Sequence, residues 1–402
     1  MGGLARWLSC DNCGAEYAEG PRWLCERCFE LLRVRYEKDT GRLNRQEVAN
    51  RARNLWRYRE RLPADSSGDS EVGWTKLVEA RRLGKELGVE RLYVKDEGTG
   101  SPTGCVEDRG AAVAVAKSRE FGFESVAYAT LGAGARPVAA ACARADMRCY
   151  IFAPPGGEPE PLCAAREMGA KVILLDGKET AAELFCREAG EEYGWGFLNL
   201  HLKPYWAEGL KTMVFEVSEQ LGWELPARLV TYVGSGVLVE ESAEAARELA
   251  GGGTVEGTQM GIHGVQMKSC APIARAFSDG EADVKPWERP STAAPSDPAW
   301  GKAAVDAIRE SKGSCETATK EEGEKGRALL AETEGLLRGV RTGAAVWATG
   351  KLAREGKLSA GGITVIAATD RAEERGRSSR RSFTRIRPRL KDFDRLMRNG
   401  FR

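Results

Sequence analysis

Four cysteines near the start of the chain are spaced for metal chemistry. Cys10, Cys13, Cys25 and Cys28 form a C-x2-C-x11-C-x2-C pattern. Each C-x2-C pair can turn two thiolates toward one point, and two such pairs complete a tetrahedral zinc site. The stretch "CDNCG" supplies Asn and Gly, which tolerate the tight backbone that such a knuckle needs. Four cysteine ligands leave no open coordination position, so a zinc ion here is expected to be structural rather than catalytic. The other seven cysteines (Cys105, Cys142, Cys149, Cys163, Cys186, Cys270 and Cys315) are scattered and odd in number, which argues against a secreted disulfide framework. The two histidines, His201 and His263, lie far apart and fit neither a metal-ligand nor a triad pattern.

The elements that must position any site follow from periodicity. "NLWRYRERLP" reads as a helix ending before Pro63. "LVEARRLGKELG" reads as an amphipathic helix, "RLYVKDE" as a strand and "GAAVAVAKSREFG" as a helix. "ESVAYAT", "RCYIFAP" and "KVILLDG" read as strands that alternate with the helical stretches "RPVAAACARA", "EPLCAAREMG" and "KETAAELFCREAGEEYG". The alternation resumes with "RLVTYVGSG", "TQMGIHGVQM" and "ITVIAAT", and "GVLVEESAEAARELAGGG" reads as a helix followed by a loop. This pattern implies parallel sheets covered by helices, the α/β class. No run of about 18 apolar residues is present, so no membrane span is expected. The first residues lack an apolar signal core, and a cytoplasmic location is expected.

Several stretches, in order, resemble the threonine synthase family, whose members use pyridoxal phosphate (PLP) on fold type II. "LYVKDEGTGSPTGCVEDRG" (92–110) is similar to the family's L-x-x-K-x-E-x-x-N-P-T-G-S-F-K-D-R-G. "LWRYRERLP" (55–63), "EGLKTMVFEVSEQLGWELP" (208–226), "GVQMKSCAPIARAF" (264–277) and "AIRESKG" (307–313) match as well, and the N-terminal cysteine module looks like the zinc ribbon of many members. The resemblance implies a zinc ribbon at 1–35, a connector at 36–70, a large α/β domain at 71–112 and 206–374, and a small α/β domain at 113–205. Family members are often dimers, so a homodimer is expected by analogy.

The departures fall on the chemistry. The family's Schiff-base lysine, in S-F-K-D-R-G, aligns with Glu107. Only an amine condenses with the cofactor aldehyde and then moves protons, and a carboxylate also sets negative charge beside an anionic cofactor. The S-T-G-N loop reads "TLGAG", with Ala133 at the Asn position. The phosphate cradle V-G-x-G-G keeps Gly234, Ser235 and Gly236 but has Val237 last. Ala368 takes the place of the hydroxyl that faces the pyridine nitrogen, Gly339-Val340 replaces Glu-Pro, and Lys76 replaces Pro in G-x-T-P-L. Of the nearby lysines, Lys95 sits within a strand and Lys117 about three turns along a helix, which leaves Lys76 as the candidate substitute.

Scaffold motifs are therefore kept while cofactor contacts are lost. The expectation is a protein without PLP chemistry that serves as a binding or regulatory component. The competing reading is an active lyase that makes threonine and phosphate from phosphohomoserine with another lysine. A third rests on residues 375–402, which carry eleven Lys or Arg against two Asp, a local charge of +9. With a net charge of +1 for the chain, residues 1–374 carry −8. Phe383, Phe393 and Phe401 interleave with the arginines, a composition suited to RNA or an acidic partner, or to packing on the acidic body.

Overall fold

The computed structural model describes residues 6–37, 43–66, 71–177, 179–199, 201–257, 259–288, 294–358, 361–372 and 383–399. β1 (Arg6–Cys10), β2 (Glu16–Ala18) and β3 (Leu32–Tyr36) make a small antiparallel sheet in the order β2-β1-β3. A short helix α1 (Arg45–Ala49), capped by the Asn44 side chain, and a 3₁₀ turn (Leu55–Arg61) lead into the body. β4 (Lys76–Glu79), α2 (Arg81–Leu87), β5 (Leu92–Asp96) and α3 (Glu107–Glu120) follow.

The expected helix over "LVEARRLGKELG" is thus two elements. Residues 76–79 pair antiparallel with β5, Val78 opposite Val94, and only residues 81–87 are helical. Pairing along the open edge of β5 outweighs the local helical pattern.

The middle of the chain alternates β6 (Ser125–Ala129), α4 (Ala135–Arg144), β7 (Arg148–Ala153), α5 (Pro159–Glu167), β8 (Lys171–Leu175), α6 (Glu179–Tyr193) and β9 (Gly196–Phe197). α7 (Lys203–Gln220) returns to the first unit, where β10 (Arg228–Tyr232), α8 (Val237–Gly251), β11 (Gly261–Met267), α9 (Pro272–Ser278), α10 (Gly301–Glu310), β12 (Ser314–Ala318), α11 (Lys320–Glu334), α12 (Val340–Arg354) and β13 (Thr364–Ala368) complete it. The large sheet runs β12-β11-β10-β13-β5-β4, parallel except for β4. Apolar side chains of α7, α8, α9 and α10 cover one face and those of α2, α11 and α12 the other.

Of the alternatives that the sequence leaves open for the C-terminal segment, its described part takes packing on the body. β14 (Thr384–Ile386) adds a fifth parallel strand to the small sheet, β14-β8-β7-β6-β9, with Thr384 opposite Ile173 and Ile386 opposite Leu175. α13 (Leu390–Asn399) packs beside α6. Phe393 is fully buried, and its ring lies 5.6 Å from Phe152, 5.8 Å from Phe185, 5.7 Å from Tyr193 and 6.0 Å from Trp195. Ile386, Leu390, Leu396 and Met397 border the same core. Phe383 lies under the Arg166 guanidinium at 4.8 Å, and Phe401 is outside the described residues. So residues 383–399 are part of the small-sheet unit, attached by apolar packing together with the Arg385–Asp176 ion pair and a hydrogen bond from the Tyr193 hydroxyl to Asp394. The spacing of Leu390, Phe393 and Met397 is a helical stripe that the density of arginine obscures.

The ribbon docks on the body through charge and two tyrosines. Arg33 on β3 pairs with Glu240 of α8 at 2.7 Å and lies over the Trp300 ring at 5.6 Å. Arg35 reaches Glu244 at 3.2 Å, and the Tyr36 hydroxyl donates to Glu208. The Tyr205 hydroxyl donates to Gly20 O and accepts from Gly20 N–H.

Candidate functional site

The strands of both parallel sheets end toward one cleft, the usual position of a site in such folds. The loop from β5 into α3 forms its floor. Gly104 has φ +74°, and a Cβ there would lie 2.9 Å from Gly98 O, so the loop needs glycine. Asp108, in the first turn of α3, accepts from Thr103 N–H at 3.0 Å and Thr103 Oγ1 at 2.7 Å, which holds the loop against the helix start. Cys105 Sγ lies 3.1 Å from Thr103 Oγ1.

Arg109 anchors this floor from beneath. Its guanidinium is 1% exposed and meets both Glu97 oxygens at 2.9 Å, Glu216 at 2.6 and 2.7 Å, and Thr212 at 3.0 Å. Burial works to raise the Glu216 pKa, but Arg109 and Lys95 outweigh it and hold the carboxyl at about 2. This is scaffold chemistry, and it explains why D-R-G survives in the motif.

Glu107, the first residue of α3, is partly exposed to the cleft. Enclosure raises its pKa, while Arg341 pulls the other way. Arg341, at the start of α12, crosses the cleft. It lies 3.4 Å from Glu158, which follows β7, and 5.9 Å from the centre of the Tyr232 ring, and its charge is felt by Asp370 and Glu107. Asp370, after β13, accepts from the Thr342 N–H and hydroxyl. A Cβ on Gly339 would lie 2.0 Å from Asp370 Oδ2. Where the resemblance has Glu-Pro, the glycine leaves the space that the Asp370 carboxylate fills. Arg338 closes the same edge by pairing with Asp96.

Gly234, Ser235 and Gly236 join β10 to the start of α8. Gly236 has φ +94°, and a Cβ there would meet Trp300 O at 2.7 Å. The space around Gly234 is open, and α8, a 15-residue helix, starts at Val237. This end of the cleft fits a phosphate group. The ring end does not fit PLP. Glu107 supplies no amine, Ala133 and Ala368 offer only methyl groups, and Asp370 adds a further carboxylate.

The lysines weighed as substitutes are placed as follows. Lys95 is fully buried and donates to Thr75 O, Glu216 and Gln220 at 2.8–2.9 Å. Lys117 is held by Pro63 O, Glu120 and Glu19. Lys76 is exposed on β4, opposite Asp96. His263 bonds Ser314 at 3.0 Å, with its pKa lowered to about 4 by burial and then by Arg228, and His201 sits beside Phe197. Neither joins the cleft groups described above. Arg341, Asp370 and Glu158 were not singled out by the sequence, because their meeting depends on a helix start and two strand ends that are distant along the chain.

The four N-terminal cysteines do come together. Their sulfur atoms all lie within 4.8 Å of one another, with Cys10 Sγ 3.3 Å from Cys28 Sγ and Cys13 Sγ 3.4 Å from Cys25 Sγ. This donor set can hold a metal ion, and its chemistry fits tetrahedral zinc.

Two parallel-stranded units with a cleft at their strand ends define a fold-type-II PLP scaffold. The chain belongs to the pyridoxal-phosphate dependent enzyme family, matched over residues 69–370. Threonine synthase of Methanocaldococcus jannaschii is 31% identical over 360 residues, 86% of this chain and 87% of that protein. Threonine synthase of Methanosarcina acetivorans is 31% identical over 336 residues, 82% of each. Among solved structures, maize serine racemase superposes with a TM-score of 0.65 at 16% identity, covering 81% of this chain and 95% of that one. Processed threonine deaminase isoform 2 of Solanum lycopersicum gives 0.63 at 19% identity, covering 75% and 84%. Among the described residues, no helix is long and apolar enough to cross a membrane.

Proposed function

We propose that this chain is a threonine synthase-like protein without PLP chemistry, which serves as a binding or regulatory component. The observation that carries this is Glu107 at the head of α3, facing the Arg341 and Asp370 charges across the cleft. A lysine at that position would hold the cofactor as an imine, whereas a glutamate supplies no amine and sets negative charge beside an anionic cofactor. Gly234, Ser235 and Gly236 remain as a vestige of the phosphate loop. Cys10, Cys13, Cys25 and Cys28 hold a structural zinc that keeps the ribbon folded.

The test is a visible spectrum with added PLP, followed by borohydride reduction and intact mass. Wild type is expected to show no imine band and no covalent adduct. Glu107→Lys is the comparison, and an adduct in it should map to position 107. An adduct on wild type would instead identify a working lysine and favour the phosphohomoserine lyase reading.

A polyanionic partner such as RNA is favoured by the basic exposed face of β14 and α13. Arg385, Arg387, Arg389, Lys391, Arg395 and Arg398 are all exposed there. Binding should weaken steeply with salt. Replacing Arg389, Lys391, Arg395 and Arg398 by Glu leaves Phe393 in place and is expected to abolish it. RNA retention by that variant, measured by filter binding, would exclude this face.

A further inference from the structure

The small sheet carries a second opening that neither the cleft nor the ribbon uses. α4 gives way to β7 through Asp146, Met147 and Arg148, and α5 gives way to β8 through Met168 and Gly169. These turns and the last residues of α4 enclose an open pocket of about 270 Å³. It lies at the N-terminal ends of β7 and β8, the opposite end of the sheet from the cleft.

Four of its lining side chains carry sulfur: Cys142, Met147, Cys149 and Met168. Cys142 is fully buried at the back, and Cys149 is nearly so. Met147 N–H donates to Cys142 O at 2.9 Å, so the turn that joins the two cysteines is fixed. Met168 is 37% exposed at the mouth. No histidine lines the pocket, and its one carboxylate is Asp146. A harder divalent ion would find few of its preferred ligands there.

We propose that this pocket is a binding site for a soft monovalent metal ion of the Cu(I) class, with Cys142 and Cys149 as thiolate ligands and Met147 and Met168 as thioether ligands. Thiolate and thioether sulfur select Cu(I) over harder metals. Binding breaks the two S–H bonds, forms two metal–sulfur bonds and releases two protons to solvent. The metal keeps its oxidation state throughout. The site is separate from the ribbon, whose four cysteines form their own group.

The experiment uses the full-length, zinc-loaded protein under anaerobic conditions. Cu(I) is presented in a chromogenic chelator, and zinc release is followed with an indicator in the same cuvette. The expected result is one equivalent of Cu(I) withdrawn from the chelator without zinc release. Cys149→Ser should abolish that uptake, and Cys315→Ser, which alters a thiol outside the pocket, should leave it unchanged. Met168→Leu alters only the mouth, so it cannot fail through the core, and it should weaken binding ~10-fold. Uptake that occurs only as zinc leaves, or that persists in Cys149→Ser with the affinity unchanged in Met168→Leu, overturns the proposal.

Discussion

Phe393→Ala is expected to destabilise the small-sheet unit by about 3–5 kcal/mol, the usual loss for a fully buried phenylalanine. The ring fills the space among Phe152, Phe185, Tyr150, Tyr193 and Trp195. That space cannot collapse readily, because four of these aromatics stand on a sheet and its covering helix. The loss should appear as a lower denaturant midpoint, and the tryptophan emission should report it because Trp195 borders the cavity. The result decides between two views of residues 383–399. A loss below about 1 kcal/mol would mean that the segment is not integral to the fold. A loss of the expected size makes it a structural element whose exposed side is basic.

Arg109→Ala is expected to cost about 3–5 kcal/mol, for a different reason. Removing the guanidinium strands Glu97 and Glu216, both almost fully enclosed, with Lys95 as the remaining cation of the network. Arg109→Lys keeps the charge but loses the fork that spans both carboxylates, so it should fall between wild type and the alanine variant. The acid limb of the stability curve provides a second measurement. Glu216 has a depressed pKa when folded, so its contribution is fully present above the usual 4.5 and is lost as pH falls toward about 2. Without Arg109 that carboxyl is held less low, so the acid-dependent loss should be smaller and complete at higher pH. Urea midpoints across that range for both proteins would show the shift. An unchanged acid limb would mean that Arg109 does not set the Glu216 charge.

Much of the fold could be read from apolar period. The βα alternation from Leu92 to Leu175 lies where the sequence placed it, because each strand is a short apolar run and each helix an amphipathic or alanine-rich one. The cysteine cluster was legible for the same kind of reason, since its spacing is local. What could not be read depends on distance along the chain. Arg109 was legible only as part of the D-R-G motif, because its partners are twelve and 107 positions away. Arg341 and Asp370 carry no motif of their own, and they matter only because Gly339 lacks a side chain. "LVEA" followed a helical pattern, yet the free edge of β5 took it as a strand. In the C-terminal segment, charge drew attention away from the three apolar positions that fix its place.

The position of β14 also bears on how the molecule is made. The strand it pairs with, β8, is synthesised about 200 residues earlier, which at about 5–20 residues per second is roughly 10–40 s. During that interval the nascent small sheet has β8 as an open edge, with no ring in the Phe393 cavity. An uncovered parallel edge is a template for unwanted pairing. Completion of this unit therefore waits on translation of the second half of the large sheet, and the two halves mature together rather than in chain order.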